Sequence, residues 1–459
     1  MKRKDNAKHI YKMKVISIFK RHLSQFGIIN KVLYKVNISK VLRLSQMYET
    51  KDSSWRDVQR EFLYEILCYA KLHSMYYKQY IPDSLELSNC FDVLKDLPLL
   101  TKDIIREKKD YIYSDEIDNN NWANTGGSTG EPLCFPILKS RHNMEQICQS
   151  ILYHKMGVSV PKDLIISIDG TRIPQNSIDK NVYWKSNSFN FPYGKYCLST
   201  IYMSEKSMPY YIDFLNHVKP NVMRGYPSGF SELSNYCKNH HVKLNFKLKG
   251  IYLTSENFGE EEEELISEVF DCPVWGQYGH TEESVFAVKS PQKDSYICNP
   301  LYGFTEILNE SGDHVGKGQI GEIVVTGFNH YGLPFIRYKT GDLAEYGGSQ
   351  DNGSVVINKL LGRSVDYLIN SLGEKVYLVG FIFGGHLKAF NNIRQWQLEQ
   401  YEKGIVEMKT VKGFGYSEQV DIEIKELFVK YNMTVNIHFT NAIEKTGRGK
   451  IKFLIQHLT

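Results

Sequence analysis

Thr125-Gly126-Gly127-Ser128-Thr129-Gly130-Glu131-Pro132-Leu133 packs three glycines and three hydroxyls into its first six residues. Glycine lets a backbone turn tightly and approach a ligand with no Cβ in the way. Successive backbone N–H groups in such a turn form a concave anion site, and the hydroxyls add donors. The stretch therefore suits the phosphates of a nucleotide. It is not a Walker loop, because no Gly-Lys-Ser/Thr closes it. Taken alone it reads equally well as a solvent-exposed Gly/Ser turn. The sequence on either side has to decide.

Upstream, residues 1 to about 120 read as mostly helical. Between Trp55 and Leu67 apolar residues recur at helical spacing. Pro82 and Pro98 interrupt the region, and Leu97-Pro98-Leu99-Leu100-Thr101-Lys102-Asp103 reads as an extended piece followed by a capped helix start. Downstream, Ser140 is placed to cap a helix running to about Met156, with Gly157 as its stop. Leu164–Ile168 reads as a buried strand. Residues 170 to 205 are aromatic-rich and irregular, either a loop near a ligand or a packed surface meander.

A strand–helix alternation comes next. Strands are expected at Asn221–Tyr226, Leu248–Thr254 and Pro273–Tyr278. Helices are expected from a Ser228 cap through His240, and at Glu260–Phe270, whose acidic first turns suit the helix dipole. Such a βαβαβ rhythm argues for parallel strands in an α/β domain. Past residue 300 the pattern is strand-rich: Phe304–Leu308, Gly321–Thr326, Phe335–Tyr338 and Ser354–Leu361. After Leu361 the chain starts again as a small α/β unit, with Arg394–Tyr401 helical and Ile405–Thr410 and Thr434–Phe439 strand-like. No internal repeat is visible.

Composition bounds the function classes. The 459 residues allow about two or three domains, and a formal net charge of +4 is too small to imply a nucleic-acid surface. Lysines and an arginine crowd residues 2 to 14, as a solvated basic tail or a contact for anionic lipid or nucleic acid. Val15–Phe19 is too short for a signal peptide, and no run approaches the roughly twenty apolar residues of a membrane span. The eight cysteines show neither Cys-x-x-Cys nor zinc spacing, which fits reduced thiols in a cytoplasm.

Four more stretches set glycine beside polar residues at strand ends. They are Gln277-Tyr278-Gly279-His280-Thr281-Glu282, Arg337-Tyr338-Lys339-Thr340-Gly341-Asp342-Leu343, Leu361-Gly362-Arg363-Ser364-Val365-Asp366 and Thr446-Gly447-Arg448-Gly449-Lys450. With Thr125–Leu133, in this order, they resemble the signature set of the adenylate-forming superfamily, which includes acyl-CoA synthetases and peptide-synthetase adenylation domains. Leu133 after the loop proline, Arg224-Gly225-Tyr226-Pro227-Ser228 and Gln395-Trp396-Gln397-Leu398-Glu399-Gln400 resemble the phenylacetate–CoA ligase branch, nearest its CapK-like capsular-polysaccharide-biosynthesis members. The resemblance covers roughly residues 90 to 459.

That resemblance implies roles for matching residues. Thr125, Gly126, Gly127, Ser128, Thr129 and Gly130 would cradle the β- and γ-phosphates of ATP. Tyr278 would lie against adenine, Thr281 would donate to the α-phosphate, and Glu282 would hold Mg²⁺. Asp342 would accept from the ribose hydroxyls, with Arg363 near ribose or phosphate. Lys450 would be the catalytic lysine, stabilising charge on the α-phosphate and leaving pyrophosphate. Asp366 would be the hinge, although Val365 stands where relatives often carry a second aspartate. Tyr226, Pro227, Thr254, Gly276 and Gln277 would line the acid pocket. Glu256 would either help bind Mg²⁺ or cap a turn. Residues 283 to 303 contain only Cys298, so no zinc is expected.

The expectation is thus an α/β protein. A mostly helical region (1–90) packs on a large ATP- and acid-binding core (91–363), and a small mobile C-terminal α/β domain (367–459) completes it. The implied activity is ATP-dependent formation of an acyl-adenylate from a small carboxylic acid, then acyl transfer, with coenzyme A the leading acceptor. The alternatives are a carrier protein or a sugar as acceptor, or a nucleotide-binding relative without catalysis.

Overall fold

In the computed structural model, the described residues are 54–117, 121–125, 133–138, 144–159, 162–291, 293–363, 367–378, 392–413, 415–444 and 451–458. A 12-stranded mixed sheet dominates them. Its parallel strands lie in the spatial order Val274–Gly279, Gly250–Thr254, Val222–Gly225, Ile165–Asp169 and Tyr196–Ser199. Beyond Val274–Gly279 the sheet turns antiparallel through Phe286–Lys289, Tyr296–Cys298, Val355–Arg363, Tyr338–Ser349, Ile320–Gly327 and Gly303–Leu308.

Each face of the parallel part is covered. Strands buried on both faces are near-continuously apolar, as Gly250–Thr254 and Ile165–Asp169 are. One face packs on Met208–Val218, Pro227–Asn239 and Glu260–Phe270, where Met223, Phe230, Leu253 and Ile266 share a core. The other packs on Met144–Lys155, where Tyr153, Tyr252 and Ile147 meet. Helix Ser54–His73 and its neighbours pack through Leu63, Ile66 and Leu67 onto the antiparallel strands.

The last part has a core of its own, built from Leu368, Leu398, Met408, Phe428 and Val435. Its sheet runs Thr434–Phe439, Ile405–Lys412, Ile393–Glu402 and Leu454–Gln456, with helix Glu418–Lys430 packed on it. It touches helix Pro227–Asn239 where Gln395 Nε2 donates to Glu232 Oε1, and the turn before Met208–Val218 where Arg394 Nη1 lies 3.5 Å from Glu205 Oε1.

Four local expectations are corrected. Arg394–Tyr401 is not helical but part of strand Ile393–Glu402. Trp396 and Leu398 face the core, while Gln395, Gln397 and Glu399 alternate to the other face, a period of two that the run of glutamines hides. Residues 170–205 are not wholly irregular, because Tyr196–Ser199 joins the parallel sheet. Phe335–Arg337 are not strand: Arg337 turns with φ +47°, and the strand begins at Tyr338. Ser228 is not a cap, because the helix starts at Pro227, a residue whose missing N–H costs nothing there.

Candidate active site

A hairpin holds the ends of the glycine-rich stretch. Trp122–Asn124 and Cys134–Pro136 pair antiparallel, with Asn124 opposite Cys134. One step further in, Thr125 N donates to Leu133 O at 2.9 Å, and Leu133 N donates to the Thr125 hydroxyl at 2.8 Å. The buried Thr125 hydroxyl thus closes the neck of the loop. Gly126, Gly127, Ser128, Thr129 and Gly130 lie outside the described residues, as do Asp366 and Lys450. Ring contacts tie the hairpin to the start of strand Tyr338–Ser349: Phe135 meets Phe335 at 5.1 Å, and Phe335 meets Tyr338 at 5.0 Å.

Tyr338 OH donates to Glu282 Oε1 at 2.8 Å. His280 Nδ1 stands 3.1 Å from Glu282 Oε2 without hydrogen-bond alignment. Glu282 is only 4% exposed. Burial alone would raise its pKa, but the neighbouring His280, the residue's own backbone N–H and the Tyr338 hydroxyl outweigh burial and pull it down to about 2. The site therefore keeps a buried, ionised carboxylate. Mg²⁺ is commonly held by one or two carboxylates plus substrate phosphates, so one such group fits it. Among the described residues no cluster of three or more His, Cys, Asp or Glu forms a cage. Thr281, between the two, is exposed.

Tyr278, at the end of Val274–Gly279, donates its hydroxyl to Asp342 Oδ2 at 2.8 Å. Burial and the Asp342 charge push that hydroxyl's pKa well up, so it remains a donor. Asp342 and Arg363 are direct partners across antiparallel strands, with Arg363 Nε 3.8 Å from Asp342 Oδ1. Gly341, at φ +81°, sits at the register shift within strand Tyr338–Ser349, just before Asp342. A carboxylate accepts at about four positions, so Tyr278 leaves room for ribose hydroxyls.

By sequence pattern Lys102 is only part of a helix start. In the fold it is half-buried after the Thr101 cap, whose side chain accepts from Ile104 N. Burial lowers the Lys102 pKa, nearby Arg363 lowers it further, and Glu282 and Asp342 oppose that. Lys102 therefore belongs electrostatically to the same site. The available signal was a lysine directly after a capping threonine, which helix rules do not mark as functional.

The expected pocket residues divide between the faces of the sheet. Thr254 and Gln277 are register partners, and Thr254 Oγ1 donates to Gln277 Oε1 at 2.8 Å. Gly276 faces the other way, where a Cβ would sit 2.8 Å from Tyr296 OH and 2.9 Å from Phe258 Cζ. Tyr226 precedes helix Pro227–Asn239, and its N–H donates to Ile168 O at 2.9 Å. Glu256 Oε2 accepts from Ser228 N at 3.1 Å, so Glu256 caps that helix.

No protein-family model matches the chain. It is 25% identical to Protein CapK of Staphylococcus aureus over 414 residues, 88% of this chain and 89% of CapK. A 2-hydroxyisobutyryl-CoA ligase in its postadenylation state with 2-HIB-AMP superposes with a TM-score of 0.67 at 17% identity, over 87% of this chain and 88% of that one. The same ligase with 2-HIB-AMP and CoA in its thioesterification state gives 0.54 at 19% identity, over 88% and 90%. An acyl acid amido synthetase in complex with 2,4-DB gives 0.56 at 16% identity, over 87% and 89%. At these identities the likeness is one of architecture, and the chain has the fold of the adenylate-forming ligases.

Proposed function

We propose that the chain activates a carboxylic acid with ATP and Mg²⁺ to an acyl-adenylate, releasing pyrophosphate, and then transfers the acyl group. The observation that carries this reading is that Tyr278, Asp342 and Arg363 bond in one chain, that Glu282 is held beside them by Tyr338, that Lys102 lies within their electrostatic reach, and that ring contacts join Tyr338 to the hairpin bracketing the glycine-rich stretch. An ionised Glu282 would hold Mg²⁺, which neutralises charge on the phosphates. Asp342 would accept from the ribose, and the glycine loop would hold the β- and γ-phosphates. Residues 367–459 would move about Asp366, bringing Lys450 to the phosphates in the first half-reaction and withdrawing it in the second. The two arrangements of the 2-hydroxyisobutyryl-CoA ligase, which this chain matches unequally, support that reading.

Coenzyme A is the proposed acceptor. Likeness to Protein CapK keeps transfer to a carrier protein or a sugar as the second reading. The test is ATP–pyrophosphate exchange across aryl, fatty and amino acids, with coenzyme A added afterwards. Exchange with at least one acid is expected. ATP binding without exchange for any acid would make the chain a nucleotide-binding relative instead.

Asp342→Ala is expected to weaken ATP binding by about 1–3 kcal/mol, the scale of a hydrogen bond to a charged group. Calorimetry with ATP and its 2′,3′-dideoxy analogue checks this. The parent should prefer ATP, and the variant should bind both alike.

A further inference from the structure

Two arginines are buried among the described residues, Arg224 at 8% exposure and Arg337 at 7%. Arg337 meets a carboxylate, with Nη2 3.2 Å from Glu306 Oε1. Among the described residues no carboxylate pairs with Arg224 in this way. Arg224 Nη1 donates to Pro192 O at 3.3 Å, and its guanidinium carbon lies 4.7 Å from the Tyr252 ring centroid and 4.9 Å from that of Tyr193. A guanidinium is always charged and carries five N–H donors. One long carbonyl bond, the Tyr153 hydroxyl and two ring faces leave part of that capacity unused. A buried charge with no directly paired counter-charge is costly.

The surroundings are polar and already committed to one another. Tyr153 OH donates to the same Pro192 carbonyl at 2.7 Å, and Tyr252 OH donates to Gln149 Oε1 at 2.9 Å. Glu145, the carboxylate acting on Arg224 through space, accepts from Gln149 Nε2 at 3.1 Å and Tyr302 OH at 2.6 Å. Tyr193, 51% exposed, carries the cluster's edge to solvent.

The register ties this cluster to the acid pocket. Arg224 lies beside Tyr252, and Thr254 beside Gln277 lies two residues further along the same face. Two residues of strand span about 6.6 Å. That is the length of a short molecule with an acidic group at each end.

Resting on the adenylation reading, we propose that Arg224 is a specificity residue, and that the acid carries a second anionic group, which Arg224 binds while the carboxyl to be activated lies at the strand ends. A second carboxylate and a phosphate share that chemistry. Pairs of acids separate them: succinate against butyrate, glutarate against pentanoate, and phosphoglycolate against glycolate.

Two readouts are needed, binding by calorimetry and ATP–pyrophosphate exchange. In the parent, at least one doubly anionic acid should bind and exchange better than its partner by on the order of 10–100-fold. Arg224→Met should abolish that preference while leaving the weaker acid's rate and the melting temperature close to the parent's. Arg224→Lys should restore part of it. Singly charged acids preferred by the parent would overturn the proposal, as would equal loss for both members of each pair in a folded Arg224→Met. Arg224-dependent binding of a doubly anionic acid without exchange would support this site and count against adenylation.

Discussion

Lys450→Ala is expected to slow ATP–pyrophosphate exchange by about 10²-fold or more, the effect of removing a positioned electrostatic group. The same variant, given preformed acyl-adenylate, should transfer the acyl group at close to the parent rate. The reason lies in where charge develops. Adenylation builds charge on the α-phosphate and on departing pyrophosphate, and a lysine's compact ammonium stabilises it. Transfer has no pyrophosphate leaving group. An unchanged exchange rate would make Lys450 a bystander. Equal loss in both half-reactions would point to damage of the small domain and remove support for the swing about Asp366.

Arg337→Ala should lower stability by about 3–5 kcal/mol, because it leaves Glu306 as an unpaired buried charge. Arg337 also donates to Lys95 O at 2.6 Å and Leu97 O at 3.0 Å, so it fastens the segment before Lys102 to the antiparallel strands. Burial raises the Glu306 pKa from its ordinary 4.5, and Arg337 opposes that rise. Without the arginine the rise grows. A carboxylate whose folded pKa is raised costs nothing below its unfolded value and destabilises as pH climbs through the interval above. The loss should therefore be smaller near pH 5 than near pH 8, and Glu306→Gln added to Arg337→Ala should recover part of it. Denaturant unfolding at both pH values checks this. A pH-independent loss would make the effect one of packing.

Much of the parallel core was legible from residue pattern. Ile165–Asp169, Val222–Gly225, Gly250–Thr254 and Val274–Gly279 lie within about a residue or two of the expected strands, because strands buried on both faces read as apolar runs bounded by turn residues. Helix Glu260–Phe270 fell where its acidic first turns placed it. Strand Ile393–Glu402 misled because Gln395, Gln397 and Glu399 are themselves buried, each with a hydrogen-bond partner, so a polar face there is an interior one. Tyr196–Ser199 was hidden in an aromatic stretch with no alternation to mark it.

Resemblance of the ordered motifs to a known superfamily selected Tyr278, Glu282, Asp342 and Arg363 as candidates, because each motif is a short run of sequence. Only the tertiary structure decided that Tyr278 donates to Asp342, that Tyr338 and His280 hold Glu282, and that Lys102 belongs with them. It also decided that Arg337 meets Glu306 directly, whereas Arg224 meets a backbone carbonyl and two rings and has Glu145 acting only from a distance. Apart from the neighbours His280 and Glu282, those facts depend on groups separated by tens to hundreds of residues in the chain. Periodicity and capping act over a few residues, whereas the partner of a buried charge is set by strand register and by what the opposing layer brings to it.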